Sequence, residues 1–147
     1  MRKANIVRRE QEQDGDKMIY CTAHDKESDI AELYKEWTKR PPDWRRMLCN
    51  SYSVVARDST TGMMVGATQY ILIADPFWGR KFALVENVYV APEYRKQGVG
   101  KLLMRFTETQ ARAFGCEFMK LTTRKDAGKM LYRGLGYEEG SSFYKRF

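Results

Sequence analysis

Arg95-Lys96-Gln97-Gly98-Val99-Gly100-Lys101 sets cations and glycines together between a strand-like run and an amphipathic one. That composition binds phosphates. A helix opening at Gly98 presents backbone N–H groups that lack intrahelical partners and carry roughly +0.5 of a charge, so donors and dipole act together on an anion. Glycine lets the backbone approach a ligand closely, while Arg95, Lys96 and Lys101 add positive field. Two familiar phosphate motifs do not fit. A Walker loop needs Gly where Arg95 stands and Ser or Thr where Leu102 stands, and the dinucleotide fingerprint needs a third Gly where Leu103 stands. A second residue that asks for a reason is Glu86. Strict alternation along Phe82 to Val90 (FALVENVYV) puts it on one face with Phe82, Leu84, Val88 and Val90, a carboxylate among apolar neighbours.

These residues need elements to hold them. Phe82 to Val90 is rich in β-branched and aromatic residues and is closed by Ala91-Pro92, so it reads as a strand and its stop. Beyond the glycines, Val99, Leu102, Leu103, Phe106, Gln110 and Ala113 fall at helical spacing, with Gly115 as the C-cap. Phe118 to Thr122 reads as the next strand, and Ala127, Met130, Leu131 and Leu135 as the core face of another helix. Upstream, Ile6 to Arg9 or Met18 to Thr22 is the first strand, and the polar stretch Glu10 to Lys17 reads as loop or disorder. Ser28-Asp29-Ile30 opens a helix with Ile30, Leu33, Tyr34 and Trp37 on one face, ended by Arg40-Pro41-Pro42. A short helix from Asp43 to about Cys49 follows, then strands at Tyr52 to Arg57 and Met63 to Ile73, with Asp75 to Arg80 as a hairpin. The expected fold class is α/β in the α+β sense: a mixed sheet, antiparallel at first and then parallel, flanked by helices.

Arg95-x-x-Gly98-x-Gly100, after a strand and before a helix, resembles motif A of the GNAT superfamily of acetyl-CoA-dependent N-acetyltransferases. About thirty residues on, Leu131-Tyr132-Arg133-Gly134-Leu135-Gly136-Tyr137 is similar to that family's motif B. The order of elements can be followed from about Ser51 to the C-terminus, and the first fifty residues match in outline. The resemblance implies a single domain over residues 1–147 that binds acetyl-CoA as co-substrate, needs no metal, and transfers an acetyl group to a primary amine by direct attack on the thioester.

That reaction needs a neutral amine, stabilisation of an oxyanion and departure of a thiolate. By resemblance, Asn87 to Val90 (with Val88, Tyr89 and Val90 as contacts) lie along the pantetheine arm, and a backbone N–H near Val88 is the oxyanion donor. Arg95, Lys96, Gln97, Gly98, Val99, Gly100 and Lys101 take the pyrophosphate. Glu86 is the base, directly or through water, since partial burial would raise its carboxyl toward a useful range. The alternatives for Glu86 are an ion pair with an arginine at the sheet edge or a bulge turning it outward, and Asp75 is the second candidate base. Tyr132 is expected beside the departing sulfur, with plain packing as its alternative. The family's asparagine before that last helix is missing here, where Lys125 stands, so Lys125 or Arg124 is left to meet the same phosphates. The acceptor is expected across the splayed strands, near Trp37, Trp44, Phe77 and Trp78, as a small amine first and a protein lysine or N-terminus second.

Composition agrees. The 147 residues suit one domain that buries its core without staples. Apolar runs are too short to span a bilayer and the N-terminus lacks the apolar core of a signal peptide, which gives a cytoplasmic location by default. Cys21, Cys49 and Cys116 follow no zinc or redox spacing, and His24 is the single histidine, against histidine triads or multi-histidine metal sites. The net charge of +7 raises nucleic-acid binding as a rival, yet basic residues are interspersed with acidic ones and no nucleic-acid signature is present. A non-catalytic acyl-CoA-binding module is the other rival. A homodimer is compatible with all of these.

Overall fold

A computed structural model describes residues 11–14, 17–24, 27–39, 51–140 and 145–146. The expected strand at Ile6 to Arg9 and the short helix from Asp43, with Trp44 and Cys49, lie outside the described residues.

Six strands form one sheet among the described residues, in the order of the chain: β1 (Gln11–Asp14), β2 (Lys17–His24), β3 (Ser51–Asp58), β4 (Met64–Asp75), β5 (Arg80–Val90) and β6 (Phe118–Leu121). The first five pair antiparallel and β5 pairs parallel with β6, as alternating strands and a helical crossover require. β1 corrects the reading of Glu10 to Lys17 as loop. Its backbone pairs with β2 from Gln11 opposite Tyr20 to Asp14 opposite Lys17. A short edge strand of polar residues carries no hydrophobic alternation to announce it, and its backbone ladder identifies it.

Helix α1 (Glu27–Thr38) covers one face of the sheet and α2 (Val99–Ala113) the other. The period of two along β3 shows the division. Val54 joins the cluster of Tyr70, Val85, Leu103 and Phe106 under α2, while Val55 joins Ile30, Leu33, Tyr34, Ala67 and Tyr89 under α1. Along α2, Val99, Leu102, Leu103, Phe106 and Gln110 are buried as their spacing demands. Ala113 is not: the buried arc closes at Ala111, and Met104 and Thr107 complete it. Thr107 tolerates burial because its hydroxyl donates to the Leu103 carbonyl at 2.8 Å. Gly115, at φ +79°, ends the helix, with the Cys116 N–H returned to the Ala111 carbonyl at 3.0 Å.

The β4–β5 hairpin turns at Pro76 to Gly79. Asp75 Oδ1 accepts from the backbone N–H groups of Phe77 at 3.0 Å and Trp78 at 3.3 Å, which fixes the turn. Helix α3 (Asp126–Gly134) lies more open than its spacing suggested. Met130 is 74% exposed and Ala127 is exposed, and the half-buried Leu131 and Tyr132 face inward.

Candidate active site

The site begins where the sheet opens. β5 pairs with β6 from Phe82 to Val85 only, and continues through Glu86 to Val90 with that edge unpaired among the described residues. Backbone N–H and C=O groups there are left for another partner. On its other edge β5 pairs with β4, and the register shifts between Ala67 and Gln69: Glu86 faces Gln69, whereas Tyr89 faces Ala67. Two residues, Asn87 and Val88, thus oppose Thr68, which is a β-bulge, and Asn87 takes φ +53°.

The bulge decides which groups point where. Ala91 donates its N–H to the Val65 carbonyl at 2.8 Å, so alternation turns the N–H groups of Tyr89 and Ala91 toward β4 and those of Val88 and Val90 toward the open edge. The bulge also reverses the faces. Before it, Ala83 and Val85 pack under α2; after it, Val88 and Val90 do, and Tyr89 packs under α1. Strict alternation through Glu86 therefore fails. Glu86 does not share a face with Val88 and Val90, and it is exposed, so the burial expected to raise its carboxyl is not found. The outward-turning bulge is the arrangement present. Asp75, the second candidate base, is bound into the hairpin turn six residues beyond Gln69, about 20 Å along β4.

Beyond Val90 the chain turns through a single 3-10 turn, Pro92–Tyr94, anchored to β3 by the Tyr94 hydroxyl donating to the buried Asp58 carboxylate at 2.9 Å. The next residues tie the turn to itself. Arg95 Nε donates to the Val90 carbonyl at 2.9 Å, its guanidinium lies 5.8 Å from the Tyr89 ring centre, and Gln97 Nε2 donates to the Glu93 carbonyl at 2.9 Å. Lys96 and Gly98 both take left-handed backbone, φ +59° and +81°, a sequence of conformations that gathers successive N–H groups into a concavity. Gly98 is the N-cap of α2 and no side chain caps that end, so the first-turn N–H groups at Val99, Gly100 and Lys101 have no capping partner. At Gly100 a Cβ would lie 3.2 Å from Leu131 Cδ2 and 3.9 Å from Val90 Cγ2. Glycine there lets the start of α2, the end of β5 and α3 meet.

Tyr132, on α3, packs against the α2-side core with its ring edge-on to Tyr137 at 5.9 Å. Its hydroxyl has no hydrogen-bond partner among the described residues, and burial pushes the phenol above its ordinary value. It therefore holds its proton at neutral pH and is equipped to donate. Lys125 is the exposed N-cap residue of α3. Tyr132, Val88 and Val90 pack against the same core cluster, while Glu86 stands on the α1 side of β5.

Of the aromatic residues expected near an acceptor, Trp37 stacks on Tyr89 at 5.1 Å and is committed to packing. Phe77 and Trp78 stand 94% and 75% exposed at the hairpin tip. Cys21 is buried, and burial pushes the Cys116 thiol up despite the opposing Lys81 charge, so neither is an activated nucleophile. No cluster of metal-ligating residues occurs among the described residues, and no helix there is long and apolar enough to cross a membrane.

Sequence reasoning missed Tyr34 and Gln69. The Tyr34 hydroxyl donates to the Asn87 carbonyl, and Asn87 Nδ2 donates to Gln69 Oε1 at 2.9 Å. The available signal was Asn87 itself, a residue tolerant of left-handed backbone inside an otherwise β-forming run.

An antiparallel sheet opening beside one parallel strand, with an uncapped helix start at the mouth of the opening, defines an acyltransferase fold. Residues 17–137 match the acetyltransferase (GNAT) family, and the chain belongs to that family. It is 27% identical over 105 residues to N-acetyltransferase family 8 member 3 of Rattus norvegicus, a match covering 70% of this chain and 46% of that protein. The chain thus spans about half the length of that relative. Among solved structures, an acetyltransferase of Trypanosoma brucei has a TM-score of 0.73 at 22% identity, covering 88% of this chain and 99% of that one. The ribosomal-protein-alanine N-acetyltransferase of Brucella melitensis biovar Abortus 2308 has a TM-score of 0.71 at 20% identity, again over 88% and 99%. These two likenesses speak for the fold.

Proposed function

We propose that this chain transfers an acetyl group from acetyl-CoA to a small-molecule primary amine. The observation that carries the reading is the open edge of β5 at Glu86 to Val90, leading directly into the uncapped start of α2. An extended arm fits an edge of unpaired backbone groups, and a pyrophosphate fits the concavity at Lys96 to Lys101 beside the cations Arg95, Lys96 and Lys101. Lys125, the N-cap residue of α3, is read as a further cation for the phosphates.

The residues divide the work as follows. The outward N–H of Val88 hydrogen-bonds the oxygen on which charge develops. Glu86, exposed on the α1 side, takes the proton of the amine, and its exposure suits a route through water. Tyr132 donates a hydrogen bond toward the departing sulfur. Its phenol, with an ordinary value near 10 against about 8.5 for a thiol and raised further by burial, keeps its proton rather than giving it up.

Thiol release from acetyl-CoA across a panel of amines and peptides, with calorimetric binding of CoA beside it, tests this reading. Release with a small amine supports it, and release with peptides alone moves the acceptor to protein. Binding without release against every acceptor favours a non-catalytic module, and absence of CoA binding overturns the reading of Arg95 to Lys101.

A further inference from the structure

We infer that Tyr34 is a positioning residue for acetyl transfer: from α1 it pins the Asn87 bulge, and the bulge is what turns the Val88 N–H toward the open edge. The inference rests on the acetyltransferase reading and goes one layer behind it.

The register supplies the first step. Before the bulge, Glu86 pairs with Gln69 and Leu84 with Ile71. An unbroken register would pair Val88 with Ala67, the place Tyr89 now holds. That place faces β4 with its N–H, as does Ala91 two residues on, which bonds Val65. Without the bulge, Val88 would spend its N–H in the ladder and the open edge would be offered the N–H of Tyr89 instead. The direction of the donor is therefore a property of the bulge and not of the residue type at position 88.

The second step is what holds the bulge. Asn87 is not glycine, and left-handed backbone is unfavourable for an L-residue, less so for Asn than for most. Two contacts hold it, one on its backbone and one on its side chain. Tyr34, buried in the α1 cluster, donates its hydroxyl to the Asn87 carbonyl, and Gln69 accepts from the Asn87 amide at 2.9 Å. The Tyr34 ring is itself fixed, packed 5.7 Å from Trp37 and 6.4 Å from Tyr89. Burial raises its phenol well above the ordinary range, so the donor is present at every pH at which the protein would work. Nothing in the chemistry assigned to Glu86, Val88 or Tyr132 uses Tyr34 otherwise. A phenol buried in an apolar cluster and aimed at the carbonyl of the one strained residue of β5 acts on the bulge.

Tyr34→Phe keeps the ring and removes the hydroxyl. Wild type is assayed first: if it releases no thiol with any acceptor, the acetyltransferase reading falls, and this role with it. If wild type turns over, Tyr34→Phe is expected to lower kcat about tenfold, less than the loss of an oxyanion donor itself, while KM for acetyl-CoA stays within about twofold. Hydrogen exchange at the Tyr89 amide, which the bulge holds against Ala67, should quicken about tenfold with the rest of β5 unchanged. Gln69→Met, which removes the second contact without touching α1, should shift the same readouts in the same direction by a smaller factor. The inference is overturned if Tyr34→Phe turns over like wild type, or if kcat and KM worsen together with protection lost throughout the sheet, which marks Tyr34 as packing alone.

Discussion

Replacing Tyr132 with Phe removes one oxygen and leaves the ring packed against Tyr137 and the α2-side core. The consequences can be worked out separately for stability and for rate. The hydroxyl has no partner among the described residues, so its loss breaks no internal hydrogen bond and the melting temperature should move by less than about 2 °C. In the proposed reaction the phenol would face a developing thiolate, and hydrogen bonds to charged groups are worth about 1.5–3 kcal/mol, which converts to a loss in kcat of roughly 10- to 150-fold. The sign of the pH dependence follows from burial, which holds the phenol neutral beyond its ordinary value near 10. A donor that stays protonated across the working range gives a loss independent of pH between about 6 and 9. Steady-state thiol release at several pH values, with calorimetric CoA affinity as the control, reads all three quantities. Full activity in the variant would assign Tyr132 to packing. A loss that grows or shrinks across that pH range would mean that the phenol titrates in the reaction, and the argument from burial would be wrong.

Glu86→Gln should lower kcat/KM for the amine by about 10²-fold or more while CoA affinity stays within about twofold, and undiminished turnover would remove Glu86 as base. Gly66→Val places a Cβ 2.9 Å from the Tyr89 carbonyl oxygen and 3.0 Å from Leu103 Cδ1, where neither the backbone nor the packed α2 face yields easily. Overpacking of this kind costs about 2 kcal/mol, so thermal melting should fall by about 5 °C, and an unchanged melt would show that α2 sits more loosely on β4 than described. Tyr137 is raised by burial first and by the neighbouring Glu108 second, with its hydroxyl donating to Glu108 Oε1 at 3.0 Å. The stability it contributes is present below about pH 10 and is lost as pH rises through the raised folded value, so Tyr137→Phe should flatten the fall of melting temperature between about pH 9.5 and 11.

The parts of this fold that were legible in the sequence are those whose signal is local. Gly98 before the run Val99, Leu102, Leu103, Phe106 marks a helix start because only a residue at ease with positive φ ends the preceding turn there. The hairpin at Asp75 to Arg80 and the parallel pair of Phe82 and Phe118 follow from turn chemistry and from the crossover between them. What was not legible was decided by partners far away in sequence. β1 is a strand because β2 offers it a ladder, whatever its side chains are.

Glu86 is the more instructive case. Period-two reasoning assumes an unbroken strand, and β5 is broken at the residue that follows Glu86, by a register shift against β4 and a hydroxyl arriving from α1. The same event moves Glu86 away from the face of Val88, exposes it, and frees the Val88 N–H to the open edge. The base proposed on one side of the strand and the oxyanion donor proposed at its edge are thus not two independent placements. One inserted residue produces both, and a sequence read by strict alternation loses the geometry at the point where the proposed chemistry needs it.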